Sequence, residues 1–307
     1  MPPHTVDSPT PSTPGSAPRN ASSASSQPRS SVQQASKQCG VHPDTCVIAI
    51  ASGKGGVGKT TTAVNLGFAL SDKGFKVGIL DADLFGPSIP LLVSRTEPIE
   101  HPRATDVVVP PTFAGVKVIS IAMFQKKQSP NVWRGPMAGS MVKQFFTNVQ
   151  WGELDYLLID YPPGTSDIQL TLSQVARLTG AVLVTTPQDV ALLDVEKAMA
   201  MLAMTKVPII GIIETMSHFI CSNCQTQHYL FLSGGGEKLA KKYDVPMLAQ
   251  IPMESRIALT SDRGLPLVRR FPQADGAVAY VKAAESIISK TSKATEANDD
   301  NFHLRWK

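Results

Sequence analysis

A chain of 307 residues with 42% hydrophobic content can bury a sizeable core in one large α/β domain. Its net charge of +4 is small, and Lys and Arg are scattered apart from Lys126-Lys127, Lys241-Lys242 and Arg269-Arg270, so no nucleic-acid footprint is present. No apolar run approaches the ~20 residues of a membrane span, the opening residues carry no secretory h-region, and four cysteines at this length make no disulfide framework.

Met1 to about Lys37 is rich in Ser, Pro, Ala and Gln and has almost no large apolar residues. Residues 1–40 therefore read as a disordered tail. Arg19 and Arg29 suit a transit peptide, but the prolines spoil an amphipathic helix. From residue 41 to about 290, strands and helices alternate. Strands are expected at Val47–Ser52, Val77–Asp81, Val116–Ile121, Tyr156–Asp160, Ala181–Thr186, Ile209–Ile213 and Met247–Ile251. Helices are expected near Thr60–Lys73, Gly139–Val149, Ile168–Leu178, Ala191–Met204, Glu237–Tyr243 and Ala274–Ser289. The strands are nearly continuous Val/Ile/Leu runs, the pattern of a parallel sheet covered on both faces. Right-handed βαβ units then give a doubly wound, mainly parallel sheet with ligand sites at the carboxyl ends of its strands. A polar tail is expected from about Ser289, closing on Phe302-His303-Leu304-Arg305-Trp306.

At the first strand end stands Gly53-x4-Gly58-Lys59-Thr60, the phosphate-binding loop in its strand–loop–helix setting. Gly53, Gly55, Gly56 and Gly58, with Lys54 and Val57 between them, let successive N–H groups converge on phosphate oxygens without Cβ interference. The helix that opens with Lys59, Thr60 and Thr61 turns its positive end to the anion. Lys59 is expected to bridge the β- and γ-phosphates of ATP, and the Thr60 hydroxyl to ligate Mg²⁺. Lys54, directly after Gly53, can point away from its own nucleotide and reach a neighbour's.

The strand Val77–Asp81 empties into Asp81 and Asp83. An acid at a strand end often caps the next helix. Beside a phosphate loop, Asp81 instead supports Mg²⁺ from behind its direct ligands, and Asp83 orients or activates the attacking water. Leu157-Leu158-Ile159-Asp160 has the Walker B form, with Asp160 holding Mg²⁺ through water. In the following Pro-Pro-Gly turn, Gly164 can present its N–H to the γ-phosphate. Gln169 and Gln188 read as structural.

His218-Phe219-Ile220-Cys221-Ser222-Asn223-Cys224 carries a Cys-x-x-Cys pair on the loop after Ile209–Ile213. Two thiolates are half of a four-cysteine set. Three arrangements follow from the residues: two chains each donating a pair to one 4Fe–4S cluster, a zinc knuckle completed by His218 and His228, or a dithiol switch.

The stretches SGKGGVGKTT, LDADLFGPSIP, WRGPM (Trp133–Met137), WGELDYLLIDYPPGTSDIQLTLSQ, TTPQDVALLD and ETMSHFICSNC together resemble the Mrp/ApbC family of iron–sulfur cluster scaffold and carrier proteins. That family is a branch of the MinD/ParA deviant Walker A ATPases, and the resemblance runs from about Val47 to Val268. It implies a P-loop ATPase that is a homodimer, with Lys54 reaching the partner's phosphates across the interface. It further implies that Cys221 and Cys224 of two protomers share one 4Fe–4S cluster, delivered to apo iron–sulfur proteins during ATP hydrolysis. Three departures stand out. Thr215 replaces the asparagine that is thought to read adenine, so one hydroxyl stands in place of an amide. The small N-terminal domain of bacterial members is absent, and Cys39 and Cys46 do not reproduce the four-cysteine N-terminal motif of cytosolic relatives. Cys39 reads as a free thiol and Cys46 as a buried small residue.

A cluster-carrying ATPase is thus the leading expectation, located in the cytoplasm or, second, in a mitochondrial or plastid matrix. Other readings are a MinD/ParA-like positioning ATPase and a zinc-stabilised nucleotide switch. The first of these needs a membrane-binding helix or a basic face, and Ala274–Ser289 lacks a Lys/Arg-rich polar side.

Overall fold

Period-two alternation along the central strand decides how the molecule layers. In β1 (Cys46–Ser52), Val47, Ala49 and Ala51 pack into one hydrophobic cluster, while Ile48 and Ile50 pack into the other on the opposite face. The same division recurs in β5 (Tyr156–Asp160), where Leu157 and Ile159 face one side and Leu158 the other. Apolar residues on both sides require a covering layer on both sides, and helices supply it. The computed structural model describes residues 40–84, 86–94, 107–124, 135–164, 167–221 and 223–296. Outside them lie nearly all of the expected N-terminal tail with Cys39, the pair Lys126-Lys127, Trp133 and Arg134 of the WRGPM stretch, and the closing Phe302–Trp306 segment.

In chain order the described elements are β1, α1 (Lys59–Asp72), β2 (Val77–Asp81), α2 (Ile89–Leu92), β3 (Thr112–Phe113), β4 (Val116–Ser120) and α3 (Gly135–Thr147). Then come β5, α4 (Asp167–Val175), β6 (Gly180–Thr185), α5 (Asp189–Met204), β7 (Ile209–Glu214), β8 (Phe219–Ile220) and β9 (Gln227–His228). The chain continues through α6 (Gly235–Tyr243), β10 (Met247–Gln250), α7 (Ser255–Asp262), α8 (Leu267–Arg270) and α9 (Asp275–Glu296). The sheet order is β10-β7-β6-β1-β5-β2-β4-β3, parallel throughout except for β3. Strand β3 folds back on β4 through Ala114 and Gly115, both at positive φ, the two-residue turn whose twist suits a hairpin.

From β1 the chain crosses to β2 on one flank, while β6, β7 and β10 fill the other. The loop after β1 therefore opens at the point where the winding reverses, the position at which such sheets bind ligands. Helices α1 and α9 cover one face, with Leu66, Leu70, Tyr280 and Ile287 packed on Ile48, Ile79 and Leu158. Helices α3 to α6 cover the other, through Phe145, Leu172, Met199 and Leu239. No helix among the described residues is long and apolar enough to cross a membrane.

Each of the seven expected strands is present within a residue at either end. One expectation is corrected at the C-terminal end. The last helix does not stop at Ser289 but continues to Glu296, because Thr291 is buried and bonded to the Tyr156 hydroxyl at 2.9 Å. The same Thr291 hydroxyl donates to the Ile287 carbonyl at 3.0 Å. Thr291→Val keeps the shape but leaves a buried phenol without its partner. It should lower stability by about 1–3 kcal/mol in urea unfolding, and an unchanged midpoint would mean that this last stretch of helix is not docked.

Candidate functional site

The phosphate loop is shaped by positive-φ glycines and by one close approach. Gly56 and Gly58 both sit at φ 79°, where a side chain is strained, and Gly58 directly precedes α1. At Gly53 an added Cβ would stand 2.1 Å from the Asp194 carbonyl carbon, so the loop is backed by the main chain of α5. The Val57 side chain is buried and anchors the loop to the core. Its carbonyl accepts a 2.6 Å bond from the Thr215 hydroxyl, which also donates to the Thr185 carbonyl at 3.0 Å. Thr215 thus ties the loop to the ends of β6 and β7.

A polar cavity of about 280 Å³ opens over this loop, lined among others by Lys54, Lys59, Thr60, Asp83, Ser88 and Pro163. Gly55, Gly56, Gly58 and Thr61 also line it. Lys59 is buried, with Nζ 2.5 Å from Asp160 Oδ1. The other oxygen, Asp160 Oδ2, is buried with no hydrogen-bond partner. An unpartnered carboxylate oxygen at the sheet end, near a threonine hydroxyl, fits a hydrated Mg²⁺, which prefers oxygen donors and keeps several waters. Thr60 and Asp160 are the residues that would hold it.

Asp81 and Asp160 are register neighbours on β2 and β5. Asp81 Oδ2 accepts from Ser120 Oγ at 2.8 Å and from Ile89 N at 3.2 Å, and Oδ1 accepts from Asp83 N at 3.2 Å. One carboxylate thereby shapes the whole segment that carries Asp83. Burial foremost, and then the charge of Asp160, push the Asp81 carboxyl up to about 7. Asp83 is half-buried and its Oδ1 accepts from Gly86 N at 3.2 Å. Gly164, at φ 86°, donates its N–H to the Ser52 carbonyl at 3.2 Å. Offering that N–H to a phosphate requires the turn to rearrange. Gln169 donates to the Pro162 carbonyl at 2.5 Å, its Oε1 being buried without a partner, and Gln188 pairs with Thr186.

Beside the phosphate cavity, and sharing Gly58 and Thr61 with it, lies a larger apolar cavity of about 520 Å³. Thr215, Met216, Phe219, Met253, Ile257 and Tyr280 line it. The sequence marks only its edge, at Gly58 and Thr61 of the phosphate loop and at Thr215, while the other walls come from the β7–β8 connection, β8, the β10–α7 connection, α7 and α9. Glu214 was likewise not read from the sequence. Buried at the end of β7, its carboxylate accepts from Gly236 N at 2.6 Å and fixes the start of α6, and burial raises its carboxyl.

The cysteine pair stands apart from the phosphate cavity. Strands β8 and β9 form a short antiparallel hairpin, with Cys221 N donating to Thr226 O and Gln225 N to Cys221 O. Cys221 is half-buried and Cys224 exposed, both reduced. Hydrogen bonding from Thr226, whose hydroxyl is 3.2 Å from Cys224 Sγ, holds the Cys224 thiol below its ordinary value. The zinc-knuckle arrangement is not formed. His218 Nδ1 lies 2.9 Å from Ser217 Oγ, and His228 pairs across the hairpin with Phe219. Among the described residues no three His, Cys, Asp or Glu side chains gather to hold a metal ion. Cys46 is a partly buried thiol pushed by burial to about 11.

A family model described as NUBPL iron-transfer P-loop NTPase, of ParA type, matches residues 45–288. An iron–sulfur cluster carrier protein of Haemophilus influenzae is 45% identical over 261 residues, covering 84% of this chain and 70% of that protein. The Arabidopsis thaliana protein named iron–sulfur protein required for NADH dehydrogenase, mitochondrial, is 39% identical over 262 residues, 84% of this chain and 83% of its own length. Among solved structures, a nucleotide-binding protein from Archaeoglobus fulgidus in complex with ADP is similar, with a TM-score of 0.63 and 39% identity. The match covers 75% of this chain and 93% of that one.

The raised Asp81 carboxyl has a thermodynamic signature. Between its ordinary 3.8 and about 7, the folded chain keeps a proton that the unfolded chain releases. Stability of the nucleotide-free protein should therefore fall as pH rises through that window. Asp81→Asn removes the titration, so its melting temperature should rise relative to wild type from about pH 4 to pH 7. Parallel profiles for the two proteins would refute the assignment.

Proposed function

The chain belongs to the NUBPL iron-transfer P-loop NTPases of ParA type, and on that premise we propose that it is an ATP-dependent iron–sulfur cluster carrier. In this reading two protomers hold one 4Fe–4S cluster between their Cys221 and Cys224 pairs and pass it to apo-proteins. The observation that carries the reading is a half-site. Two thiols stand on an exposed hairpin, and no third metal-binding side chain joins them among the described residues. Iron–sulfur clusters take four thiolates, so a second copy supplies the missing pair.

The nucleotide sits across the two joined cavities, its phosphates over Gly53–Thr60 and its base among Met216, Phe219 and Met253. Lys59 then exchanges Asp160 for the β- and γ-phosphates, which leaves both Asp160 oxygens free. When bound, Mg²⁺ neutralises phosphate charge between Thr60 and Asp160. Asp83, at the edge of the phosphate cavity, orients the attacking water, with Asp81 holding its segment in shape. Lys54 lines that cavity too, and in a face-to-face dimer it adds positive charge to the partner's transferring phosphoryl group. The Gly164 turn gives up its bond to Ser52 and follows the γ-phosphate, so that hydrolysis, which we take to be slow, opens and closes the dimer. The Thr215 proton is already shared between the Val57 and Thr185 carbonyls, so Thr215 donates nothing to adenine, and cavity shape does most of the reading. The cytoplasm is the expected site of action and an organelle matrix the second, as the name of the Arabidopsis relative suggests for that protein.

Cys221→Ala should abolish the thiolate–iron absorbance near roughly 400 nm of anaerobically reconstituted protein while nucleotide binding persists. An unchanged spectrum would remove Cys221 as a ligand. Lys59→Ala should do the converse, losing nucleotide affinity in calorimetry while retaining cluster assembly. Lys54→Ala should keep ADP binding but lower ATP turnover by about 10²–10³-fold, the scale of one lost transition-state donor. Turnover at the wild-type rate would show that Lys54 stays out of the chemistry.

A further inference from the structure

We propose that Phe219 is a positioning residue that links the nucleoside-base cavity to the cysteine hairpin, so that a bound base sets the placement of Cys221. The inference rests on the assignments of the larger cavity to the base and of Cys221 to the cluster. Its physical content is a shared wall. The Phe219 ring lines the cavity, and Phe219 and Ile220 are the strand that leads into Cys221.

Side chains two apart on a strand share a face. Positions 219 and 221 therefore lie on one side of the hairpin, and the register continues to Cys221, whose N–H bonds Thr226 O at 3.0 Å. The ring is 37% exposed, the state of a side chain bordering an open cavity and free to respond to what enters it.

The approach to this strand is fixed by backbone bonds to the opposite cavity wall. Ile251 N donates to Glu214 O at 2.7 Å, Ser217 N to Ile251 O at 3.0 Å and Met253 N to His218 O at 2.6 Å. Phe219 then bridges to Met253 in parallel. Within this stretch Met216, a cavity residue, sits at φ 52°, a left-handed conformation that non-glycine residues adopt only where their surroundings impose it. A purine entering the cavity meets Met216, Phe219 and Met253 together. It thus acts on both ends of the ladder that holds the hairpin. A ligand shifts such an element only by contacting its two positions differently, and the Phe219 ring is the group able to make that difference.

The test uses the full chain without cluster and follows alkylation of Cys221 by iodoacetamide, resolved by peptide mass spectrometry. Mg-ADP fills both cavities, whereas Mg-pyrophosphate fills only the phosphate loop. In wild type, saturating ADP should change the Cys221 rate by about fivefold or more, the lower range of couplings between sites, and pyrophosphate should not. Phe219→Ala should bind ADP more weakly and, at ADP concentrations that calorimetry shows to saturate it, lose the effect, and Phe219→Leu, which keeps most of the bulk, should retain part of it. An equal response to pyrophosphate, no response to bound ADP in wild type, or a full response in Phe219→Ala each overturns the proposal. Those outcomes leave the cluster assignment standing, because it is judged separately by the absorbance of Cys221→Ala.

Discussion

Three charges buried at the carboxyl ends of β1, β2 and β5 set the terms for everything around them. Lys59 is paired with Asp160, and Asp81 is the register neighbour of Asp160, so two carboxylates share one ammonium away from water. Buried charge is costly unless compensated. Burial foremost, and then the neighbouring charge of Asp160, raise the Asp81 carboxyl to about 7 in the ligand-free chain. In the proposed function a phosphate and its cation offer another compensation, with Lys59 drawn to the anion and Asp160 left to face the metal ion. On that proposal the pairing is both a stabilising contact of the ligand-free chain and the contact that nucleotide replaces.

The sheet makes this arrangement rigid and the loops make it responsive. Strands β1, β2 and β5 are buried nearly throughout, so the charges cannot relax by moving the backbone. The segments leaving those strand ends are held by single bonds that a ligand can exchange: Gly164 to Ser52, Asp83 to Asp81, Ile89 to Asp81. Asp81 gathers Ser120, Ile89 and Asp83 on one carboxylate, so a single side chain holds β4, α2 and the residues that follow β2.

The cysteine hairpin follows a different logic. It has little apolar core of its own, and its two-residue strands cross-pair through Phe219 with His228 and Ile220 with Gln227. Two thiols on such a platform form an incomplete ligand set. Incompleteness is useful to a carrier, because a cluster held by two half-sites is released when they part, whereas one enclosed by a single chain is retained. The hairpin departs from β7 directly beyond Thr215, the residue that ties the phosphate loop to the sheet. Nucleotide and cysteines thus depend on one short stretch of chain.

Much of this was legible in the residues alone. The seven apolar runs determined the strands to within about a residue, because their signal is local and periodic. The Gly-Lys-Thr loop and the two acidic strand ends marked in advance the strand ends that the fold brings together around one polar cavity. Helices α2 and α8 and strands β3, β8 and β9 escaped, being too short to show a period, and the eight-residue α7 escaped as well. So did the continuation of α9, whose Ser-Lys-Thr-Ser composition reads as a tail until Thr291 is seen to meet Tyr156, more than a hundred residues earlier. Most of the larger cavity was hidden for the same reason. Apart from Gly58, Thr61 and Thr215, its walls, among them Phe219, Met253, Ile257 and Tyr280, are ordinary residues that only the fold brings together. Sequence determined the chemistry that depends on neighbours along the chain. Tertiary structure decided the pairing of Lys59 with Asp160, the raised carboxyl of Asp81 and the shared wall at Phe219, because burial and long-range contact exist only once the sheet has formed.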